Sequence, residues 1–189
     1  MKVLDLFSGL EGWSAPFRAR GHDVYRVELN DRFPAEFRDV LEFDPLKDMP
    51  WRPDVVLASP PCTAFTVMTI GRNWTHDHQP KTDKARLGLK LMERALWIIE
   101  QTNPSFWLLE NPRGKMRRMP QLDPFNRHTV TYCQYGENRM KPTDLWGGHP
   151  PSLILKDACK AGMPCHEAAP RGSYTGTQGM DSAESAKIP

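Results

Sequence analysis

Short apolar runs recur along this chain, separated by proline- or glycine-marked turns and by helix-patterned stretches, and that alternation narrows the fold more than any other feature. Val3 to Phe7, Asp23 to Glu28, Asp54 to Ala58, Ser105 to Leu109 and His128 to Cys133 read as strands. A helical stretch follows Ser8-Gly9-Leu10-Glu11-Gly12 and should stop at Gly21, where a missing Cβ suits a helix C-cap. Pro34 predicts the start of a short second helix. Ala85, Leu89, Met92, Leu96 and Ile99 recur at spacings of four and three, which predicts a long amphipathic helix that ends at Asn103-Pro104. Strands alternating with helices make parallel crossover units, so the expected fold class is α/β, a doubly wound and mostly parallel sheet.

With 189 residues, 39% of them hydrophobic, the chain is about one domain long and can bury a core without staples. Its opening run carries Asp5, unlike a secretory leader, and no run approaches the roughly 18 apolar residues that span a bilayer. A cytoplasmic protein with no membrane partner is expected. Four cysteines spread over more than half the chain are not a disulfide framework; reduced thiols are the better expectation. The net charge of +2 argues for no partner by itself. Arg113, Lys115, Arg117 and Arg118 lie within six residues, with Arg139 and Lys141 beyond, and form either a solvated face or a phosphate contact.

Three places carry candidate chemistry. Val55-Val56-Leu57-Ala58 runs into Ser59-Pro60-Pro61-Cys62, which sets one thiol at the carboxyl edge of the sheet, where open α/β folds build their sites. Cys62 is thus a candidate nucleophile, or else a small buried hydrophobe. About twenty aperiodic residues follow it, long enough for a lid. Glu110-Asn111-Pro112 ends another strand, so Glu110 should emerge at the same edge, as a proton donor or as a surface carboxylate. The turn Phe7 to Gly12 lets backbone approach a ligand, and Glu28 falls where an acid in such folds meets ribose hydroxyls, a pairing that favours a nucleoside cofactor. In the tail, Cys159, Cys165 and His166 are three zinc-ligand types, with His149 or Cys133 as a fourth; their irregular spacing favours no metal and unliganded thiols.

Taken in order, these residues resemble the DNA (cytosine-5)-methyltransferase family. Asp5-Leu6-Phe7-Ser8-Gly9-Leu10-Glu11-Gly12 is similar to its first motif for S-adenosylmethionine, and Glu28 stands at its ribose acid. Asp39-Val40 resembles the pair that meets adenine, with Asp44 a close competitor. Ser59-Pro60-Pro61-Cys62-Thr63 resembles the nucleophile motif with Thr63 in place of Gln, and Glu110-Asn111-Pro112 its Glu-Asn-Val. Gln134-Tyr135-Gly136 with Arg139-Met140-Lys141 is like a shortened basic motif that holds the target cytosine and its phosphates.

The resemblance covers about residues 3 to 147 and implies the Rossmann-like methyltransferase fold. It implies S-adenosylmethionine bound by Phe7, Ser8, Gly9, Leu10, Gly12, Glu28, Asp39 and Pro61. It implies catalysis by Cys62, Glu110, Arg139 and Lys141 on cytosine in DNA, single-stranded or flipped from a duplex. Residues 1–150 would form the catalytic domain and 151–189 a loop-rich tail without a full target-recognition domain, a compact pattern like that of phage-borne members. Methylation of RNA, amino-methylation at cytosine N4 and a non-catalytic nucleic-acid-binding relic stay as alternatives, and oligomeric state stays open.

Overall fold

The structure is a computed structural model that describes residues 1–160, 162–167 and 187–189. Six strands form one sheet: β1 (Lys2–Leu6), β2 (Asp23–Val27), β3 (Val55–Ala58), β4 (Phe106–Pro112), β5 (Arg127–Thr131) and β6 (Pro142–Gly148). The order across the sheet is β2-β1-β3-β4-β6-β5. The first four strands run parallel, and β6 pairs antiparallel with both β4 and β5. The expected α/β sheet, mostly parallel, is what forms.

Alternation along the strands divides the core. Leu4, Leu6, Val56, Ala58 and Leu109 face one side, where the helix α3 (Asp83–Thr102) packs with Met92, Ala95 and Ile98. Val3, Val55, Leu57 and Leu108 face the other, beneath Trp13 and Phe17, the latter from α1 (Ala15–Ala19). Period-two strands covered on both faces define a doubly wound sheet. From β1 the chain passes first to β2 on one side and then to β3 on the other, so the carboxyl ends of β1 and β3 flank the point where strand order reverses.

α3 begins at Thr82, whose hydroxyl accepts from the Ala85 N–H at 3.2 Å, and ends at Asn103 in the left-handed region. Its buried stripe is rotated from the expected one: Ala85, Met92 and Ile99 are inside, but Gly88 and Ala95 line the closest approach while Leu89 and Leu96 flank it. A Cβ on Gly88 would sit 2.6 Å from the Ala64 Cβ, so the larger neighbours cannot take that line.

Two expected elements are corrected and one strand is added. No helix follows Pro34: residues 31 to 54 are turns and bends, interrupted by Pro45, Pro50 and Pro53 and set by side-chain-capped turns such as Asp39 to the Leu41 N–H at 2.9 Å. The strand at His128 stops at Thr131, and Tyr132–Tyr135 coil into one turn of 3-10 helix. The strand β6 escaped notice because it opens on proline and closes on two glycines. Gly147 (φ +118°) is required there, since a Cβ would lie 2.3 Å from the Trp107 carbonyl oxygen. The loop after Cys62 is not aperiodic throughout. It holds the short helix α2 (Ile70–Asn73), and the Asn73 amide and Trp74 indole both donate to the Ala64 carbonyl, at 3.2 and 2.8 Å. Residues 150–160 and 162–167 carry no helix or strand; of the rest of the expected tail, residues 161 and 168–186 fall outside the described residues. No helix among the described residues is long and apolar enough to cross a membrane.

Candidate active site

At the carboxyl end of β1 the chain turns sharply. Phe7 (φ 61°) and Glu11 (φ 59°) both adopt the left-handed region, a cost of order 1 kcal/mol each that persists where surrounding contacts fix it. Here the Phe7 N–H donates to the Val27 carbonyl at 2.8 Å, and Glu11 is ion-paired with Arg26 and, at 2.6 Å, with Arg18. Glu28 follows β2, and its carboxylate accepts from the Gly9 N–H at 2.9 Å and the Asn30 N–H at 2.8 Å, tying the turn to the next strand.

A cavity of about 280 Å³ opens beside this turn, lined by Phe7, Val27, Glu28, Asp39, Val40 and Pro61 among others. Four of the eight residues expected at a cofactor therefore share one hollow, and Asp39 is in it while Asp44 is not; Asp44 is exposed enough to pair with Lys47 at 2.9 Å. Ser8, Gly9 and Gly12 frame the turn, but Leu10 is half exposed and outside the cavity. A Cβ on Gly12 would lie 2.7 Å from the Ile188 Cβ, so residues from the far end of the chain pack directly on this turn.

Cys62 stands one turn beyond β3, at the head of a 3-10 helix (Cys62–Ala64), and Glu110 lies inside β4, one residue past the pair Ala58↔Leu109. Adjacent parallel strands thus deliver a thiol and a carboxyl to one edge. Glu110 is buried and accepts from the Tyr132 hydroxyl at 3.0 Å, while the neighbouring Asn111 amide donates to the Pro60 carbonyl at 2.8 Å and ties the two strand ends together. Lys141 lies over the Tyr132 ring, its Nζ 4.5 Å from the ring centroid, and donates to the Lys187 carbonyl at 3.2 Å.

These groups set one another's charge. Burial pushes the Cys62 thiol above its usual range, Glu110 raises it further and Lys141 opposes both. Burial likewise raises Glu110 and lowers Lys141. Burial biases Glu110 toward its protonated form beside the Cys62 thiol, a pairing that suits one acid and one nucleophile. Arg139 is buried and bidentate to Glu137, with its closer contact at 2.8 Å. The basic run divides: Arg117 is bidentate to the buried Asp144, at 2.6 and 2.9 Å, and Lys115 is buried 2.7 Å from His78, which leaves Arg113 and Arg118 exposed.

The sequence profile described as C-5 cytosine-specific DNA methylase matches residues 1–120. A probable DNA (cytosine-5)-methyltransferase of frog virus 3 (isolate Goorha) is 34% identical over 171 residues, covering 84% of this chain and 78% of that protein. The chain belongs to the C-5 cytosine-specific DNA methylases. Solved structures share the fold at low identity. A putative DNA modification methyltransferase encoded within an Escherichia coli prophage superposes with a TM-score of 0.54 at 20% identity, over 81% of this chain and 47% of that one. An Entamoeba histolytica methyltransferase gives 0.57 at 9%, over 85% and 57%. The chain spans about half the length of these solved structures.

DNA methylases of this family use S-adenosylmethionine, and the residues present suit it. Beside the cavity, Ser8 Oγ on the turn after β1 is buried without a hydrogen-bond partner among the described residues, and the buried Asp5 carboxyl faces the buried Ser14 hydroxyl. Burial raises the Asp5 carboxyl to about 7. An unpartnered buried hydroxyl on the turn whose Phe7 lines a nucleoside-sized hollow fits a bound cofactor with a polar amino-acid end. Tyr132 and Asn111 are the site residues that sequence reasoning did not single out; Tyr132 carries no motif signal, and Asn111 was visible only as the middle of Glu-Asn-Pro.

Proposed function

We propose that this DNA methylase transfers a methyl group from S-adenosylmethionine to C5 of cytosine through a covalent adduct between Cys62 and C6. The observation that carries this reading is the meeting of Cys62 and buried Glu110 at the ends of adjacent strands, with Lys141 close to both.

Cytosine C5 is too weak a nucleophile to take a methyl group unaided. Addition of the Cys62 thiolate to C6, with Glu110 giving its proton to N3, places an electron pair on C5. S-adenosylmethionine, when bound, supplies an electrophilic methyl on sulfonium. Loss of the C5 proton to a base then re-forms the C5–C6 double bond, expels the Cys62 thiolate and returns the N3 proton to Glu110. Both faces of the ring are needed, so the cytosine is taken from a single strand or flipped from a duplex. Lys141, and Arg139 held by Glu137, steady the nucleotide and its phosphates. Phe7, Glu28, Asp39 and Pro61 would hold the nucleoside end of the cofactor, with the Ser8 to Gly12 turn around its remainder. Residues 1–150 carry this chemistry, and the segment from 151 onward is a tail.

Incubation with S-adenosylmethionine and DNA containing 5-fluorocytosine, in which C5 has no proton to lose, is expected to leave a stable protein–DNA adduct on the peptide containing Cys62. Cys62→Ala is expected to abolish both adduct and 5-methylcytosine. Product N4-methylcytosine, or full activity in Cys62→Ala, overturns the mechanism.

A further inference from the structure

Away from the proposed active site, four metal-binding side chains from distant parts of the chain converge on one point. Cys133 comes from the 3-10 turn after β5, and Cys159, Cys165 and His166 from the segment beyond β6. Their ligand atoms all lie within 4.8 Å of one another. Cys165 Sγ is 3.7 Å from Cys133 Sγ, and His166 Nδ1 is 3.6 Å from both Cys159 Sγ and Cys165 Sγ. A tetrahedral zinc with Zn–S of about 2.3 Å and Zn–N of about 2.0 Å separates its ligands by roughly 3.5 to 3.8 Å, so three of the contacts already have the spacing of a common ion. A further pair, Cys133 Sγ to Cys159 Sγ at 3.1 Å, is closer than that and far longer than the roughly 2.05 Å of a disulfide, and the remaining two pairs lie within 4.8 Å.

We propose that Cys133, Cys159, Cys165 and His166 hold one structural zinc ion. Three thiolates and one imidazole select zinc over hard cations, and four protein ligands leave no open coordination position, so the ion is a staple with no hydrolytic role. Binding replaces the S–H bonds of the three thiols by S–Zn bonds and releases their protons to solvent.

The surroundings are built to support such a centre. The Gln134 amide donates to Cys165 Sγ at 3.4 Å and the Thr131 hydroxyl accepts from the Cys159 N–H at 2.9 Å. Lys156 reaches the same turn twice, its N–H to the Tyr135 hydroxyl at 2.8 Å and its Nζ to the Gln134 carbonyl at 2.6 Å. The expected alternative fourth ligand, His149, lies elsewhere, its Nδ1 3.1 Å from the Pro150 carbonyl oxygen. The irregular spacing that pointed to unliganded thiols is bridged by the fold: β5 and β6 bring residue 133 beneath the tail. The ion would pin that tail to the turn whose first residue, Tyr132, holds Glu110.

Protein purified under reducing conditions without chelator is expected to carry about one zinc per chain by mass-spectrometric metal analysis. Cobalt exchanged into it should show a thiolate charge-transfer band and the intense visible bands of a tetrahedral site. Thiol labelling should find Cys62 reactive throughout, and Cys133, Cys159 and Cys165 reactive only after chelation. Cys159→Ala should lose the metal, Cys62→Ala should keep it, and His166→Cys, which preserves four ligands, should restore what His166→Ala removes. Gln134→Ala should weaken metal affinity about tenfold with the fold intact, the usual cost of removing a second-layer hydrogen bond. Absence of metal and of the cobalt bands in reduced, folded wild-type protein overturns the proposal, as does a Cys133–Cys159 disulfide that survives reducing purification. None of these readouts depends on methyl transfer.

Discussion

Glu110 has two influences on Cys62 that act in opposite directions. As an acid it completes the proposed chemistry; as an ionised carboxylate it holds the thiol above its usual range, second only to burial. Replacement by glutamine removes both. Methyl transfer is expected to fall about 100-fold or more with loss of the proton donor. The same variant should lower the pH at which Cys62 is half alkylated, followed peptide by peptide with iodoacetamide in the cofactor-free protein. A downward shift together with lost activity separates charge from acid function; an unchanged or upward shift would mean that the two groups do not sense each other across the strand ends. The acid role was legible in the sequence from the strand-end placement of two residues 48 positions apart, but the effect of the carboxylate on the thiol was not. Tyr132 was less legible still, because a tyrosine after a strand has no signature until the carboxyl it touches is known.

The contact between α3 and the Cys62 turn depends on the absence of a side chain. Alanine in place of Gly88 gains up to about 1 kcal/mol of helix propensity, yet its Cβ would stand 2.6 Å from the Ala64 Cβ. We expect overpacking to win, with a net loss of about 1–3 kcal/mol and a displaced nucleophile turn. Gly88→Ala should therefore lower both melting temperature and adduct yield. Gly71→Ala is the control: nothing lies within 4 Å of its Cβ, and it should be neutral or slightly stabilising. Equal behaviour of the two variants would refute close packing as the determinant. The contrast also marks what periodicity can reveal. Spacings of three and four located α3 and three of its buried residues, but the line of closest approach was set by Gly88 and Ala95, which a search for large apolar residues passes over. Irregular and antiparallel parts were harder: residues 31 to 54 fold through side-chain-capped turns, and β6 is bounded by residues that ordinarily break strands.

For the molecule as a whole, the buried acids make stability depend on pH. Asp5 titrates at about 7 in the fold against 3.8 unfolded, so between those values the native state binds more protons than the unfolded one. Its contribution is complete below pH 3.8 and lost as pH rises to 7, up to about 4 kcal/mol in the limit of full burial. Cofactor-free protein should thus melt at a higher temperature at pH 5.5 than at pH 8, and Asp5→Asn should flatten that slope by stabilising the alkaline end. A slope unaltered by the substitution would assign the dependence to other groups. The architecture from β1 to β4 could be read from pattern and motif, since each strand there is a local apolar run. The metal-ligand cluster could be read only in part: Cys159, Cys165 and His166 stand out in the tail, but the choice of Cys133 over His149 exists only after β5, β6 and the tail have folded together. One contact joins the two regimes: Ile188 lies against Gly12, at the turn that frames the cofactor cavity. During synthesis that turn emerges from the ribosome early and its packing partner long afterwards, so a nascent chain can assemble its sheet well before it can finish the turn proposed to hold the methyl donor.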